Sequence, residues 1–349
     1  MRIRSCSITL AGLLLAGVAA AQPVTTPMDS QRASVAQRIG LTDVTVVYHR
    51  PLVDGRTIWG GLVPYGEVWR AGANDNTTIS FTHDVTVENK PLPAGTYGLH
   101  MLPTAGDWTV IFSKNSTSWG SFSYDQAEDA LRVTVKPEPT AFHEALTYEF
   151  DEVAADEAVV ALKWEKLRVP FKVGVDVDKV VLANIKNELR HVNGFSWMGW
   201  SSAAAWALQR DINLEEALTW ADRSIQAEER FENLATKAQL LEKLGRGAEA
   251  EPLMAKALQI GNAGQVHFYA RQLLGRGQKE KALAVFKMNA EKNPGSYIVE
   301  AGLARAYSAT GDFANAVVHM KKAHELAPEQ AKAGLAGLIA RLEKKEDIN

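Results

Sequence analysis

The sequence predicts two kinds of fold in one chain: an antiparallel β-sandwich or jelly-roll-like domain, then a solenoid of α-helical hairpins. Three observations carry this. Short β-rich runs recur between turn residues up to about residue 172. The composition then shifts to Ala, Leu, Glu and Lys. A pattern of small residues, glycine and proline repeats over the last third of the chain.

The first 21 residues read as a cleavable secretory signal. Arg2 and Arg4 make the charged start, Leu10 to Ala20 the apolar core, and Ala19-Ala20-Ala21 the small residues before the cleavage point. The expectation is an exported, periplasmic or secreted protein, with no transmembrane segment after cleavage. The single cysteine, Cys6, falls inside this signal, so the mature chain has no disulfide and no thiol chemistry. Loss of Arg2 and Arg4 takes the formal net charge from -3 to -5. With no block of Lys or Arg anywhere, nucleic acid is excluded as the main partner.

The β-rich domain is expected over 33–172, after a polar lead from Gln22 to Arg32. Val44 to Tyr48, Thr77 to Phe81, Val85 to Val87, Gly95 to Met101, Trp108 to Phe112, Leu131 to Val135, Leu146 to Phe150 and Ala158 to Trp164 are its strands. Turns fall at Asn89-Lys90-Pro91, Pro93-Ala94-Gly95, Thr104 to Asp107 and Lys136 to Pro139. No long helix alternates with these runs, which argues against a parallel sheet.

One stretch, Arg50 to Asn76, is long, irregular and rich in Gly, Trp and Arg. Ordered loops of this length are often functional. Within it Gly55-Arg56, Ile58 to Gly66, Val68-Trp69-Arg70 and Gly72-Ala73-Asn74 form a run that, with Leu92 to Tyr97, Trp108 to Phe112 and Trp119-Gly120, resembles a family of exported bacterial proteins labelled domain of unknown function 2911. The resemblance covers about residues 30 to 170. It implies location and fold, and it brings no reaction.

Two readings of the aromatic and basic residues here stay open. Trp59, Trp69 and Trp119 could stack on a sugar ring, with Arg56, Arg70 and Asn74 as hydrogen-bond donors, making a possible glycan site. Alternatively the tryptophans anchor a core and the arginines pair with Asp54, Glu67 or Asp75. Gly60-Gly61 lacks the Lys-Ser/Thr of a phosphate-binding loop. His49, His83, His100 and His143 show no metal-ligand spacing, and His100 is expected on the exposed face of its strand. No serine lies in a nucleophile-elbow motif. No catalytic residue, metal or cofactor is therefore assigned, and the chain reads as an interaction protein; the alternatives are a carbohydrate- or cell-wall-binding β-domain on scaffold repeats, and an uncharacterised hydrolase.

Residues 173–178 read as a linker, and 179–349 as the helical domain. Ala304, Tyr307, Gly311, Ala316, Ala323 and Pro328 repeat at a spacing found 34 residues earlier in Ala270, Leu273, Gly277, Ala282 and Pro294. Weaker copies contain Ala238, Leu241, Gly245, Ala250 and Ala257, and Ala205, Leu208, Ala217, Ala221 and Ser224. Small residues let two helices approach, glycine supplies the left-handed turn, and proline ends the second helix. The pattern is similar to tetratricopeptide repeats, with four copies at about 198–230, 231–262, 263–296 and 297–330, and a capping helix from Ala331 to Lys345. The resemblance implies a protein partner held in a groove of the first helices. It places Trp206, Gln209, Gln239, Glu242, His267, Arg271, Arg305 and Ser308 there, with Arg271 and Arg305 one repeat apart and suited to a carboxylate. The Lys/Asn clamp that some cytosolic members use is missing.

Overall fold

A computed structural model describes residues 26–349; the expected signal peptide, 1–21, lies outside these residues. The chain divides into two compact units between Leu182 and Ala183.

Among the described residues, ten strands build the first unit: β1 (Gln31–Ile39), β2 (Thr42–Arg50), β3 (Thr78–Phe81), β4 (Val85–Val87), β5 (Lys90–Leu92), β6 (Gly95–Leu102), β7 (Trp108–Ser113), β8 (Asp129–Val135), β9 (Glu138–Asp151) and β10 (Glu157–Gly174). They form two antiparallel sheets, in the orders β1-β2-β3-β6-β7-β8 and β5-β4-β10-β9. Alternation decides the faces. In β2 the inward residues Val44, Val46 and Tyr48 are buried, as are Leu99 and Met101 of β6. They meet Val160, Leu162, Trp164 and Phe171 of β10 in one shared apolar core.

Two strands escape the expected pattern. β1 is not among the expected strands: its first two residues, Gln31 and Arg32, belong to the expected polar lead, and its outward positions carry Arg, Ser and Ala. It is an edge strand, in register from Gln31 opposite Arg50 to Ile39 opposite Thr42, and only Ala33, Val35 and Ile39 pack on the core. β5 was read as a turn. The turn starts one residue earlier, at Glu88 and Asn89, both with positive φ (47° and 62°), as a two-residue hairpin needs. Expected strands at 146–150 and 158–164 are the end of the much longer β9 and the beginning of the much longer β10.

The stretch expected as a linker, 173–178, is mostly ordered secondary structure. β10 ends at Gly174 and α1 (Val177–Glu188) begins after two residues. Val175 is buried, and Val177 packs so closely on Gly40 that a Cβ there would lie 2.9 Å from its methyl groups.

The second unit is four helical hairpins and a final helix. The pairs are α2 (Trp197–Arg210) with α3 (Leu214–Ala227), α4 (Phe231–Lys243) with α5 (Gly247–Ile260), α6 (Ala263–Gly275) with α7 (Lys279–Lys292), and α8 (Tyr297–Ala309) with α9 (Phe313–Leu326); α10 (Glu329–Glu343) follows. Ala238, Ala270 and Ala304 are fully buried, each seven residues before a left-handed glycine, Gly245, Gly277 or Gly311. In the first pair Asp211 takes that left-handed turn (φ 58°), and the alanine seven residues before it is the fully buried Ala204. The alignment on Ala205 is one residue late, and one residue turns a helix face by about 100°. None of the described helices is long and apolar enough to cross a membrane.

Candidate functional site

The register of the first pair locates a groove of the helical unit. The first helices of three successive hairpins, α2, α4 and α6, line a groove of about 640 Å³. Its apolar part is made by Trp197, Met198, Phe231, Phe268 and Tyr269, with Ala205 and Ala235 as a low floor. Met198 and Phe268 are 59% and 65% exposed, although both sit in well-formed helices. Ser196 caps α2, its hydroxyl accepting from the Met198 amide, and Asn262 caps α6 in a reciprocal pair with Gln265. These caps fix where Met198 and Phe268 project. One side of the groove turns polar through Gln209, Glu242, Lys243, Gln272 and Arg276. Here Arg276 donates to the Gln239 side-chain oxygen at 3.3 Å.

Of the residues expected on the groove, Gln239, Gln209 and Glu242 line it, and Trp206 does not; the small Ala205 stands there instead. The remaining four lie at α6 and α8, outside that lining. His267 packs on Phe286, ring centroids 5.4 Å apart. Burial, reinforced by the Arg271 and Arg305 charges, lowers its imidazole to about 4. The Arg305–Ser308 face of α8 is covered by the chain itself. Arg305 donates to the Ile348 carbonyl at 2.6 Å, the Ser308 hydroxyl donates to Asp347 at 2.8 Å, and Asn349 donates back to the Arg305 carbonyl at 2.9 Å. Ile348 is buried beside Leu342. Sequence reasoning missed Met198, Phe231 and Phe268; the signal available was two large apolar residues on a helix face that repeat spacing leaves to solvent.

In the β unit the three tryptophans do not form one platform. Trp59 and Trp69 point into the core, where they meet Trp108 and Trp164. Trp59 lies edge-on to Trp108 (5.0 Å), and Trp69 stacks on Trp164 (5.9 Å, 18° between planes). The long loop is thus pinned by its own indoles, together with the buried Val53, Ile58 and Val63. Trp119 stands apart and 55% exposed. Arg56 is spent locally, donating to the Val53 and Leu52 carbonyls, and Asn74 donates to the Ser30 carbonyl. Arg70 lies half-buried against Gly120, where a Cβ would come within 2.7 Å of its guanidinium. His100 is on the face expected of it, away from the core, but only 2% exposed. The segment after β7 folds over it, and Ser121 hydrogen-bonds its Nδ1 at 2.8 Å.

These features define a protein with an antiparallel two-sheet unit followed by a solenoid of helical hairpins. Residues 30–173 match the model of the family described as "Protein of unknown function (DUF2911)". The helical region is similar to repeat proteins of known structure. One is YrrB, described as a TPR protein with an unusual peptide-binding site (18% identity over 46% of this chain and 83% of that one, TM-score 0.29). Others are PilF of Pseudomonas aeruginosa (18%, 44% and 71%, 0.32) and MamA of Desulfovibrio magneticus RS-1 (20%, 43% and 97%, 0.28). No curated protein matches the chain.

Proposed function

We propose that this is an exported interaction protein whose helical unit holds a partner polypeptide by its apolar side chains, in the groove of α2, α4 and α6. The observation that carries the reading is the exposure of Met198 and Phe268 at the mouth of a groove lined by Trp197, Phe231 and Tyr269. Apolar side chains held out to water beside an aromatic-lined cleft are the anchors a binding helix or strand uses. Methionine adds an unbranched, adaptable surface that tolerates varied sequences. The polar flank from Gln239 to Arg276 gives a backbone its hydrogen-bond partners. Export is supported by the Arg2/Arg4, Leu10–Ala20 and Ala19–Ala21 pattern.

The test is a display panel of short peptides, graded from polar to apolar, read against the mature chain and against Met198→Glu with Phe268→Glu. Both positions are exposed, so the helical far-ultraviolet signal is expected to persist. Peptides with two apolar anchors are expected to bind the natural chain and to lose at least about tenfold, or 1.4 kcal/mol, on the double variant. Equal binding to both chains sinks the proposal.

A further inference from the structure

The outer face of the first sheet carries an arginine, Arg70, whose Nε the protein leaves without an acceptor. Its frame follows from register. Trp69 pairs with Met101 through two backbone hydrogen bonds of 2.8 Å, which sets the next residue, Arg70, beside His100. His100 is opposite Ile111 of β7, and Ile111 is opposite Arg132 of β8. Trp69 and Met101 face the core, so Arg70, His100, Ile111 and Arg132 form one row on the opposite face.

The two arginines of this row are treated differently. Arg132 is neutralised: it donates to Asp129 at 2.8 Å and to the Tyr124 hydroxyl at 2.7 Å, while Tyr124 itself donates to Asp129 at 2.7 Å. Arg70 has no carboxylate and no carbonyl within bonding range among the described residues, and its Nε is sealed from solvent without an acceptor. Burial alone lowers its pKa. A half-buried guanidinium without a protein acceptor is costly, and an anion at its terminal Nη groups, not at the sealed Nε, would offset that cost.

Other polar atoms converge on the same face. Asn76 is 6% exposed, and its Oδ1 is buried without a donor. Its Nδ2 and the Nε2 of His100 both border Gly98, where a Cβ would lie 2.9 Å and 3.2 Å from them. A side chain at Gly120 would press on Arg70, and one at Gly98 would meet first the Asn115 carbonyl, at 2.3 Å, and then Asn76 and His100. Gly120 also carries a positive φ of 66°. Ser121 follows it and holds His100; Trp119 precedes it and keeps its indole in solvent.

We propose that this row is a binding site for a small anionic ligand: an oxyanion, carboxylate or phosphate, is held by Arg70, and the ring or apolar body that bears it lies toward Trp119. The planar guanidinium fork matches two oxygens of either group. His100, kept neutral by its burial, adds no second charge, and the Asn76 side-chain nitrogen already donates to the Asn115 carbonyl at 3.2 Å. The site therefore selects a single anionic head and gains its remaining affinity from the body.

Titration calorimetry on the mature chain tests this with four probes: acetate, inorganic phosphate, glucuronate, and glucuronamide as the uncharged control. Glucuronate or phosphate is expected to bind saturably and glucuronamide not to bind. Arg70→Gln is expected to weaken the anion by at least about tenfold, the loss of one charge-assisted contact. Should Arg70→Gln fail to fold, Trp119→Ala, an exposed change, takes its place: it is expected to weaken glucuronate and to leave acetate and phosphate unchanged. Phosphate binding without glucuronate binding assigns the head as phosphate; the reverse assigns a carboxylate. Absence of any anion binding at millimolar probe, or equal binding by Arg70→Gln, overturns the proposal.

Discussion

The two units fill their interiors in opposite ways. The β unit is packed with bulk: Trp108, Trp164, Tyr148, Phe112 and Phe171 are among its fully buried side chains, and four indoles meet at one point. The helical unit is packed with absence. Ala204, Ala238, Ala270, Ala282, Ala304 and Ala316 are fully buried where helices cross, and Phe286 is the largest of the side chains enclosed with them, beside the smaller Leu240 and Met320. Strands about 10 Å apart across two sheets leave a volume that large residues must fill. Helices crossing at 8–10 Å or so between axes leave none to spare. The first unit is thus expected to break when bulk is removed, and the second when bulk is added.

The largest expected effect is in the indole cluster. Trp108 touches Trp59, and its Nε1 donates to the Thr104 carbonyl at 3.1 Å. Trp108→Ala opens a cavity that the paired strands β6, β7 and β8 cannot close, at a cost of about 3–5 kcal/mol. Urea unfolding followed by near-ultraviolet circular dichroism, which reports packed indoles, measures it. A loss below about 1 kcal/mol would mean the cluster relaxes as freely as a surface, and the contrast between the units would fail.

The mirror experiment adds a methyl group to the helical unit. A Cβ at Gly302 would lie 2.5 Å from the Phe286 ring and 2.9 Å from His267 Nδ1. Both neighbours are held, Phe286 fully buried and His267 packed on it. Gly302→Ala is therefore expected to destabilise by about 1–3 kcal/mol, even though alanine is the better helix former. A stabilising outcome in thermal unfolding would show that helix propensity outweighs packing here and that α8 can slide.

Both kinds of core were legible in the sequence to different depths. The alternation of β2 and β6 and the alanine–glycine spacing of the last two repeats are strong periodic signals, and the structure follows them. What was hidden lay where one residue substitutes for another of different chemistry. Asp211 takes the left-handed turn that glycine takes at 245, 277 and 311, so the first repeat aligned one residue late and Trp206 was placed where Ala205 stands. β1 carries too few apolar residues to stand out, because Gln31 and Gln37 occupy two of the positions on its inward face, beside Ala33, Val35 and Ile39. The sites were harder. Arg70 and Trp119 were both singled out, but their separation from Trp59 and Trp69 depends on which face each indole takes. No sequence pattern shows that Gly98 and Gly120 leave space for an arginine and a histidine 20 or more residues apart.

The smallest expected effect, and the finest probe of the contrast, is a pair of histidines. His100 in the β unit and His267 in the helical unit are both lowered to about 4. In each unit the folded state binds fewer protons than the unfolded chain, whose histidines titrate near 6.5 or so. Each group therefore contributes stability that is full above that value and is lost as the pH falls from it toward 4. The causes differ. His100 is lowered by burial, partly offset by the nearby Asp129 charge, whereas His267 is lowered by burial and by the Arg271 and Arg305 charges. Only the second contains repulsion that salt can screen. His100→Gln and His267→Gln are each expected to flatten the fall in urea midpoint between pH 7 and pH 5. Added salt is expected to flatten it further in the natural chain and in His100→Gln, but not in His267→Gln. The same salt response in all three chains would show that burial alone neutralises both histidines, and that the two units differ in how they fill space but not in how they manage charge.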